Sequence, residues 1–323
     1  MALYDVPAPA KINLFLHVVG QRGDGYHLLQ TVFRFIDLCD TLNFDKRSDG
    51  RIVCDSQMEG LAADDDLVVR AAKALQHATG TRYGAQINYQ KQIPSGGGLG
   101  GGSSDAASTL IALNRLWQTD LTRQELMQLA LPLGADVPVF IFGQPAFAEG
   151  VGEVLTPVSV PERAYVVVQP TQNVPTAGVF SSPDLTRDYP CVRISVFTDW
   201  QTEEAKKTAY SLSMNAGTSI ASTSVNTRTA YFGRNNLEPV VCAKYPAVGE
   251  VASWLKQQGI NARMTGSGAC FFVEFVTVEQ ARLCQQEIIV KMRYRENGKA
   301  SVIKNTWVCP GLIDHPLRYW IRS

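Results

Sequence analysis

Hydrophobic and polar positions alternate along Lys11–Val19, with Ile12, Leu14, Leu16 and Val18 on one side and Lys11, Asn13, Phe15 and His17 on the other. A period of two predicts a half-buried strand. The segment GQRGDGYH (20–27) brings three glycines and an aspartate, which predicts a turn. Strands are expected at 31–35 and 41–44. Over DLVVRAAKALQH (66–77), Leu67, Ala71, Ala74 and Leu75 recur at helical spacing behind acidic residues that suit a helix start. A strand at 86–89 leads into Pro94 and a glycine-rich stretch. The clearest helix follows, SSDAASTLIALNRLW (103–117), with Ala106, Leu110, Leu113 and Trp117 on one face and Ser103 or Ser104 as its cap. Another helix, 121–131, opens on the cap-like pair Thr122 and Glu125.

Beyond Pro161 the pattern changes. A strand at 165–169 precedes proline-punctuated sequence to Pro190. Residues 211–229, rich in Ser, Thr, Asn and Ala, fit either a loop or a weak helix. Helices are expected at 248–258 and 279–288, with TGSGACFFVEF between them as a tight turn running into a strand. No internal repeat is visible. Strands and helices alternate, so the class is mixed α/β, an α+β arrangement, with a parallel Rossmann order left open. The length, 323 residues, favours two domains, and the change of pattern divides them into 1–160 and 161–323.

Composition narrows the function. Lys plus Arg and Asp plus Glu are 30 each, so no overall field recruits nucleic acid or acidic lipid. Seven scattered cysteines form no CxxC pair or zinc-like spacing, which fits free thiols in a reducing compartment. The opening MALYDVPAPAKINLF has no basic segment ahead of an apolar core, and no run is long enough to span a membrane. A cytoplasmic protein acting on small molecules, as a monomer or weak homodimer, is the expectation.

The chemistry concentrates in PSGGGLGGGSSDAAS (94–108), where six glycines fall within seven positions. Without Cβ atoms the backbone amides can close on an anion, and the helix start behind them adds free N–H groups and its positive dipole end. A flexible linker is the alternative, but linkers rarely run straight into so well-formed a helix. No GK[ST] closes the stretch, so it is not a Walker A loop, and no acidic ribose partner supports a dinucleotide fingerprint. ATP fits best. Lys11 and Asn13 share a strand face and suit a site that holds a negative oxygen beside a hydroxyl, although a solvated strand face carries the same pattern. Asp136, in GADVPVF, is by default a turn residue or cap. Its apolar surroundings ask for a partner, and Lys11 is the candidate.

PAPAKINLFLHV, PSGGGLGGGSSDAAS and TGSGAC, in this order, resemble the three motifs of the GHMP kinase superfamily. GQRGDGYHLLQTVF and LGADVPVFIFGQPAFAEGVGE are similar to the branch that phosphorylates a cytidine-diphosphate-linked polyol. The resemblance runs from Pro7 to about Pro183 and returns from Asn235 to Phe275. It implies a two-domain fold, an N-terminal ribosomal-protein-like α/β sandwich and a C-terminal α+β domain, with the site in the cleft. Asp136 would be the general base for the 2-hydroxyl of the polyol, and Lys11 would orient it. Asn13 and Thr176 would contact substrate, Tyr26 and Phe180 would sandwich the cytosine, and His27 would read its edge. Gly266 and Gly268 would let the backbone approach the substrate diphosphate, with a plain turn into the next strand as the alternative. For ATP, the resemblance implies Gly96, Gly97, Gly98, Leu99, Gly100, Gly101, Gly102, Ser103 and Ser104 around the phosphates, Lys91 and Ser95 near the adenine or ribose, Leu67 in the base pocket with Asp66 beside it, and Pro94 and Asp105 among the ATP-binding residues. Mg²⁺ is implied with ATP, held by the nucleotide and water rather than by a protein cage. One departure stands out: Asp66 occupies a place where the family usually has Asn, adding charge beside the adenine. Homoserine or mevalonate kinases share the ATP loop but have no base to grip, and a non-catalytic ligand sensor would not need both Lys11 and Asp136.

Overall fold

The structure is a computed structural model that describes residues 1–56, 65–215, 231–295 and 301–322. It opens with β1 (Ala2–Gln21) and β2 (His27–Arg47), an antiparallel hairpin closed by the predicted turn. β2 runs unbroken through the two strands expected at 31–35 and 41–44. The intervening IDLCD has no glycine or proline to stop it, and the ladder bulges there, Pro9 facing Cys39 and Ala10 facing Ile36. β1 is not half-buried as its alternation suggested. Lys11, Asn13, Phe15 and His17 are as buried as the apolar set opposite them, because the second half of the chain covers their face.

The first half continues with β3 (Ile52–Cys54), α1 (Leu67–Thr79), β4 (Gly84–Gln90), α2 (Gly101–Trp117), α3 (Arg123–Ala130), α4 (Val137–Phe142), β5 (Ala146–Glu149) and β6 (Val154–Pro157). The helical faces read from spacing do pack. Ala71 and Leu75 of α1, Leu110 and Leu113 of α2, and Phe35 and Phe44 of β2 share one core. α2 is buried on all sides from Ser104 to Asn114, so it forms the centre of this half. The serine cap expected for it is not made. Gly100, in the left-handed conformation, precedes α2 without a side-chain cap, and both serines lie inside its first turn. α3 does open on the Thr122–Glu125 capping box.

The second half holds β7 (Ala164–Pro170), α5 (Thr176–Phe180), α6 (Ile194–Asn215), α7 (Glu238–Lys244), α8 (Pro246–Gln257), β8 (Arg263–Met264), β9 (Phe271–Phe275), α9 (Val278–Arg295) and β10 (Ile303–Leu312). Of the segment 211–229, which fits either a loop or a weak helix, residues 211–215 finish α6 and the rest lies outside the described residues. Among the described residues the strands form one sheet in the order β3-β4-β2-β10-β7-β9-β8, with β1 and β5 also on β2. Among the strands of the described residues only β3 and β4 pair in parallel, so the Rossmann order is excluded and the fold is mixed α/β with an antiparallel sheet. β10, which the alternation did not reveal, joins the halves by pairing with β7 along most of its length and with Phe35 and Ile36 of β2 through Leu312 and Gly311. Leu317 and Ile321 beyond it bury themselves in the first core. No helix among the described residues is long and apolar enough to cross a membrane.

Candidate active site

β1 has a strand on only one side, which is where Pro7 and Pro9 are tolerated. Its other edge must still find partners for its amides, and it finds them in loops from both halves. Lys11 N donates to Leu99 O at 2.9 Å, Asn13 N to Thr265 Oγ1 at 3.0 Å, Leu16 N to Arg234 O at 2.9 Å and Val18 N to Asn236 Oδ1 at 2.9 Å. The shift in ladder register between Asn13 and Leu16 lets the outward amides change from odd to even positions. One strand edge thereby places the glycine-rich loop beside the TGSGAC turn.

These two loops dock backbone to backbone. Ala269 N donates to Gly96 O at 3.0 Å and Cys270 N to Gly97 O at 3.1 Å. Gly98 sits at φ +74°, and a Cβ there would lie 2.2 Å from Thr265 O. Gly100, at φ +73°, brings its Cα face to within about van der Waals contact of the Lys11 stem and Phe140. Only glycine fits either place. Because no side chain caps α2, the amides of its first turn keep their hydrogen-bonding capacity toward the loop.

Loop, turn and β1 enclose a cavity of about 850 Å³. Lys11 Nζ lies 3.1 Å from Asp136 Oδ2 and donates to Asn13 Oδ1 at 2.8 Å. The lysine is 4% exposed and the aspartate 37%, so the cation is sheltered while the carboxylate faces the cavity. Asp136 occupies the N-cap position of α4, yet its side chain makes no cap bond there. Asn13 Nδ2 donates to Thr31 Oγ1 at 2.9 Å, which fixes the amide's orientation.

At the cavity's other end, Tyr26 stands 62% exposed on the turn, and the His27 and Phe180 rings lie 5.1 Å apart. Burial, with the nearby Arg187 guanidinium, lowers the pKa of His27 and favours the neutral ring. Thr176 shares a 2.8 Å hydrogen bond with Ser267 of the TGSGAC turn.

Comparison with known proteins now decides the family. The chain is 56% identical to the 4-diphosphocytidyl-2-C-methyl-D-erythritol kinase of Bordetella parapertussis over 326 aligned positions, covering all of both chains. It is 48% identical to the kinase of the same name from Dechloromonas aromatica, covering 96% of this chain and 98% of the other. This chain belongs to the 4-diphosphocytidyl-2-C-methyl-D-erythritol kinase family. Residues 66–144 match the GHMP kinases N terminal domain and residues 225–288 the GHMP kinases C terminal domain. A crystal structure of 4-(cytidine 5'-diphospho)-2C-methyl-D-erythritol kinase superimposes with a TM-score of 0.71 at 29% identity, covering 96% of this chain and 99% of that one.

Most residues expected at the site of a 4-diphosphocytidyl-2-C-methyl-D-erythritol kinase line the one cavity: Lys11, Asn13, Tyr26, His27, Leu67, Lys91, Pro94, Ser95, the run from Gly96 to Ser103, Asp136, Thr176, Phe180 and Gly266. Four do not. Gly268 is turned into the TGSGAC loop, where a Cβ would meet Met264 Sδ at 2.8 Å. Ser104 and Asp105 lie in the buried part of α2. Asp66 caps α1, its Oδ1 accepting from Val68 N at 2.8 Å and its Oδ2 from the Tyr89 hydroxyl at 2.6 Å. Both oxygens of the residue that departs from the family pattern thus serve the fold, and its charge is turned from the cavity.

The sequence reading also missed partners. Lys91 bridges Asp105 and Asp40, and Asp40 Oδ1 further accepts from Gln92 N and Ile93 N. Burial, with Asp40 close by, pushes Asp105 up to about 7 although Lys91 pulls the other way. Asp40 lies 51 positions from Lys91, and no local pattern connects them. Ser267 sat inside a quoted motif without being singled out, and Arg187 lay in a stretch with no periodicity at all.

Proposed function

We propose that this chain transfers the γ-phosphoryl group of ATP to the 2-hydroxyl of 4-diphosphocytidyl-2-C-methyl-D-erythritol, a step of the non-mevalonate isoprenoid route, with Asp136 as general base. The observation that carries the reading is the Lys11–Asp136 pair at 3.1 Å, set in one cavity between the glycine loop and the aromatic slot. An alcohol is far too weak an acid to ionise at neutral pH. Asp136 takes its proton, the oxygen attacks the γ-phosphorus, the bond to the β–γ bridging oxygen breaks, and ADP leaves. The Lys11 ammonium orients the carboxylate and opposes the negative charge that grows on the attacking oxygen, while the loop amides hold the phosphates. Asn13 positions the hydroxyl, and Tyr26, His27 and Phe180 take the cytosine.

Mg²⁺, bound with ATP, would neutralise charge on the β- and γ-phosphates. On this reading the ion is carried on the nucleotide and water rather than on a protein cage. We take 1–160 as the ATP-binding unit and 161–323 as the substrate-binding unit, the latter lending residues 311–322 to the former. The reaction belongs to the cytoplasm, on a monomer or weak homodimer.

The test is an ADP-release assay with the cytidylyl substrate, homoserine and mevalonate. Turnover of the first alone is expected. Asp136→Ala should lower kcat by about two to four orders of magnitude while substrate affinity stays within a few fold. Turnover of homoserine or mevalonate in place of the cytidylyl substrate would overturn the specificity. Near-normal kcat in Asp136→Ala would remove that residue from its role.

A further inference from the structure

Arg187 lies outside every motif, yet its guanidinium ties together the two sides of the aromatic slot. Its Nε donates to His27 Nε2 at 3.0 Å, and its Nη2 donates to Phe180 O at 3.0 Å and Ser182 O at 2.8 Å. Nη1 donates to Leu185 O at 2.9 Å. His27 begins β2 in the first half and Phe180 ends α5 in the second, so one side chain fixes the distance between them. A guanidinium has only donors. The ring nitrogen that accepts from it carries no proton, so neutral His27 holds its proton on Nδ1. Nδ1 has no partner among the described residues and is not among the buried unsatisfied atoms. His27 itself lines the cavity, which leaves Nδ1–H available to a ligand there.

We propose that Arg187 is a specificity-positioning residue, which braces His27 against Phe180 and presents the histidine to the pyrimidine slot as a hydrogen-bond donor through Nδ1–H. This rests on the cytidylyl reading of the same cavity. Two aromatic faces stack on any base, so discrimination falls to the edge. Cytosine offers an unprotonated N3 to a donor, whereas uracil carries a proton there and sets donor against donor. A fixed donor favours cytosine, and a ring free to exchange tautomers does not.

The experiment has two arms on the full chain. In the first, ¹⁵N NMR of the ligand-free protein reports the His27 tautomer. Nδ1–H is expected in the wild type, an averaged pair of shifts in Arg187→Met, and partial return to Nδ1–H in Arg187→Lys, which keeps one donor. In the second, calorimetry measures CDP and UDP binding. The preference for CDP should shrink about tenfold in Arg187→Met, the size expected for losing one buried polar match, with part of it restored in Arg187→Lys. Equal weakening of both ligands with an unchanged ratio would reduce Arg187 to a structural brace and overturn the proposal. So would Nε2–H in the wild type. A wild type that binds neither nucleotide overturns the proposal together with the cytidylyl reading, while turnover of the cytidylyl substrate with an unmoved ratio overturns the proposal alone.

Discussion

The two ends of the cavity are built from different materials. The phosphate end is backbone: glycines whose missing Cβ atoms let two loops touch, with Ala269 and Cys270 bonding to Gly96 and Gly97. The base end is side chains brought from separate segments, Tyr26 and His27 from the hairpin turn, Phe180 and Arg187 from the second half. A backbone cradle is rigid and accepts any triphosphate tail, since phosphate oxygens carry no information beyond charge and geometry. A side-chain slot can read an edge, but it holds its shape only through hydrogen bonds such as those of Arg187. On the proposed function, strength and selectivity are therefore separated in space, and each end should fail in its own way.

The largest effect belongs to the backbone end. In Gly98→Ala the added methyl meets Thr265 O at 2.2 Å, and the residue must also keep a positive φ. The strain costs about 1 to 3 kcal/mol, and relief requires the loop to part from the TGSGAC turn. A displacement of about 1 Å near reacting groups costs about a hundredfold in rate. Steady-state kinetics should show kcat/KM for ATP falling by that factor, with the CDP over UDP preference unchanged. A shift in that preference would mean that the two ends are mechanically one.

Tyr26→Ala probes the other end and should do less. The ring is 62% exposed, so the fold loses under about 0.5 kcal/mol. The stack it would give the base is worth about 1 to 3 kcal/mol, so KM for the cytidylyl substrate should rise about tenfold. The melting temperature and the KM for ATP should hold. A loss of stability instead would make Tyr26 part of the turn's structure and not of the slot.

The same division decides what the sequence made legible. The phosphate end is contiguous, so seven positions in a row announce it, and α2 behind it declares itself by spacing. Lys11 and Asn13 showed themselves as polar residues on one side of an alternating strand, but the depth of their burial did not, since it depends on loops more than two hundred residues away. Asp136 stood out because a carboxylate in an apolar run needs a reason. Asp66 points to the nucleotide in the sequence only through the family pattern around Leu67, and the Tyr89 hydroxyl, 23 positions on, shows that its charge is used by the fold. Arg187 had no local signal: its partners are a histidine 160 positions away and three carbonyls. β10 escaped because most of its side chains are only partly buried, which leaves no clean alternation to read.

Acid should separate the two ends more gently than any substitution. His17 is buried in β1, its ring 4.2 Å from that of Tyr189, and Tyr189 N donates to Val18 O at 3.0 Å, so this contact anchors the segment that carries Arg187. Burial first, then the charges of Arg263 and Arg234, lower the pKa of His17 to about 4. A histidine whose folded value lies below its unfolded one stabilises the fold fully above about 6.5, and that contribution is lost as the pH falls through 4. Between these values the protein should lose melting temperature, and His17→Gln should show a shallower slope. His315, buried in the first core and lowered to about 3, titrates in both proteins and cancels from the comparison. Asp105, behind the glycine cradle and raised to about 7, is already mostly protonated at about pH 6, so hydrogen exchange followed from there down to about 4 should rise at 187–191, where a charged His17 pushes, before it rises at 96–102. Simultaneous opening of both segments would show that the cleft yields as a single unit.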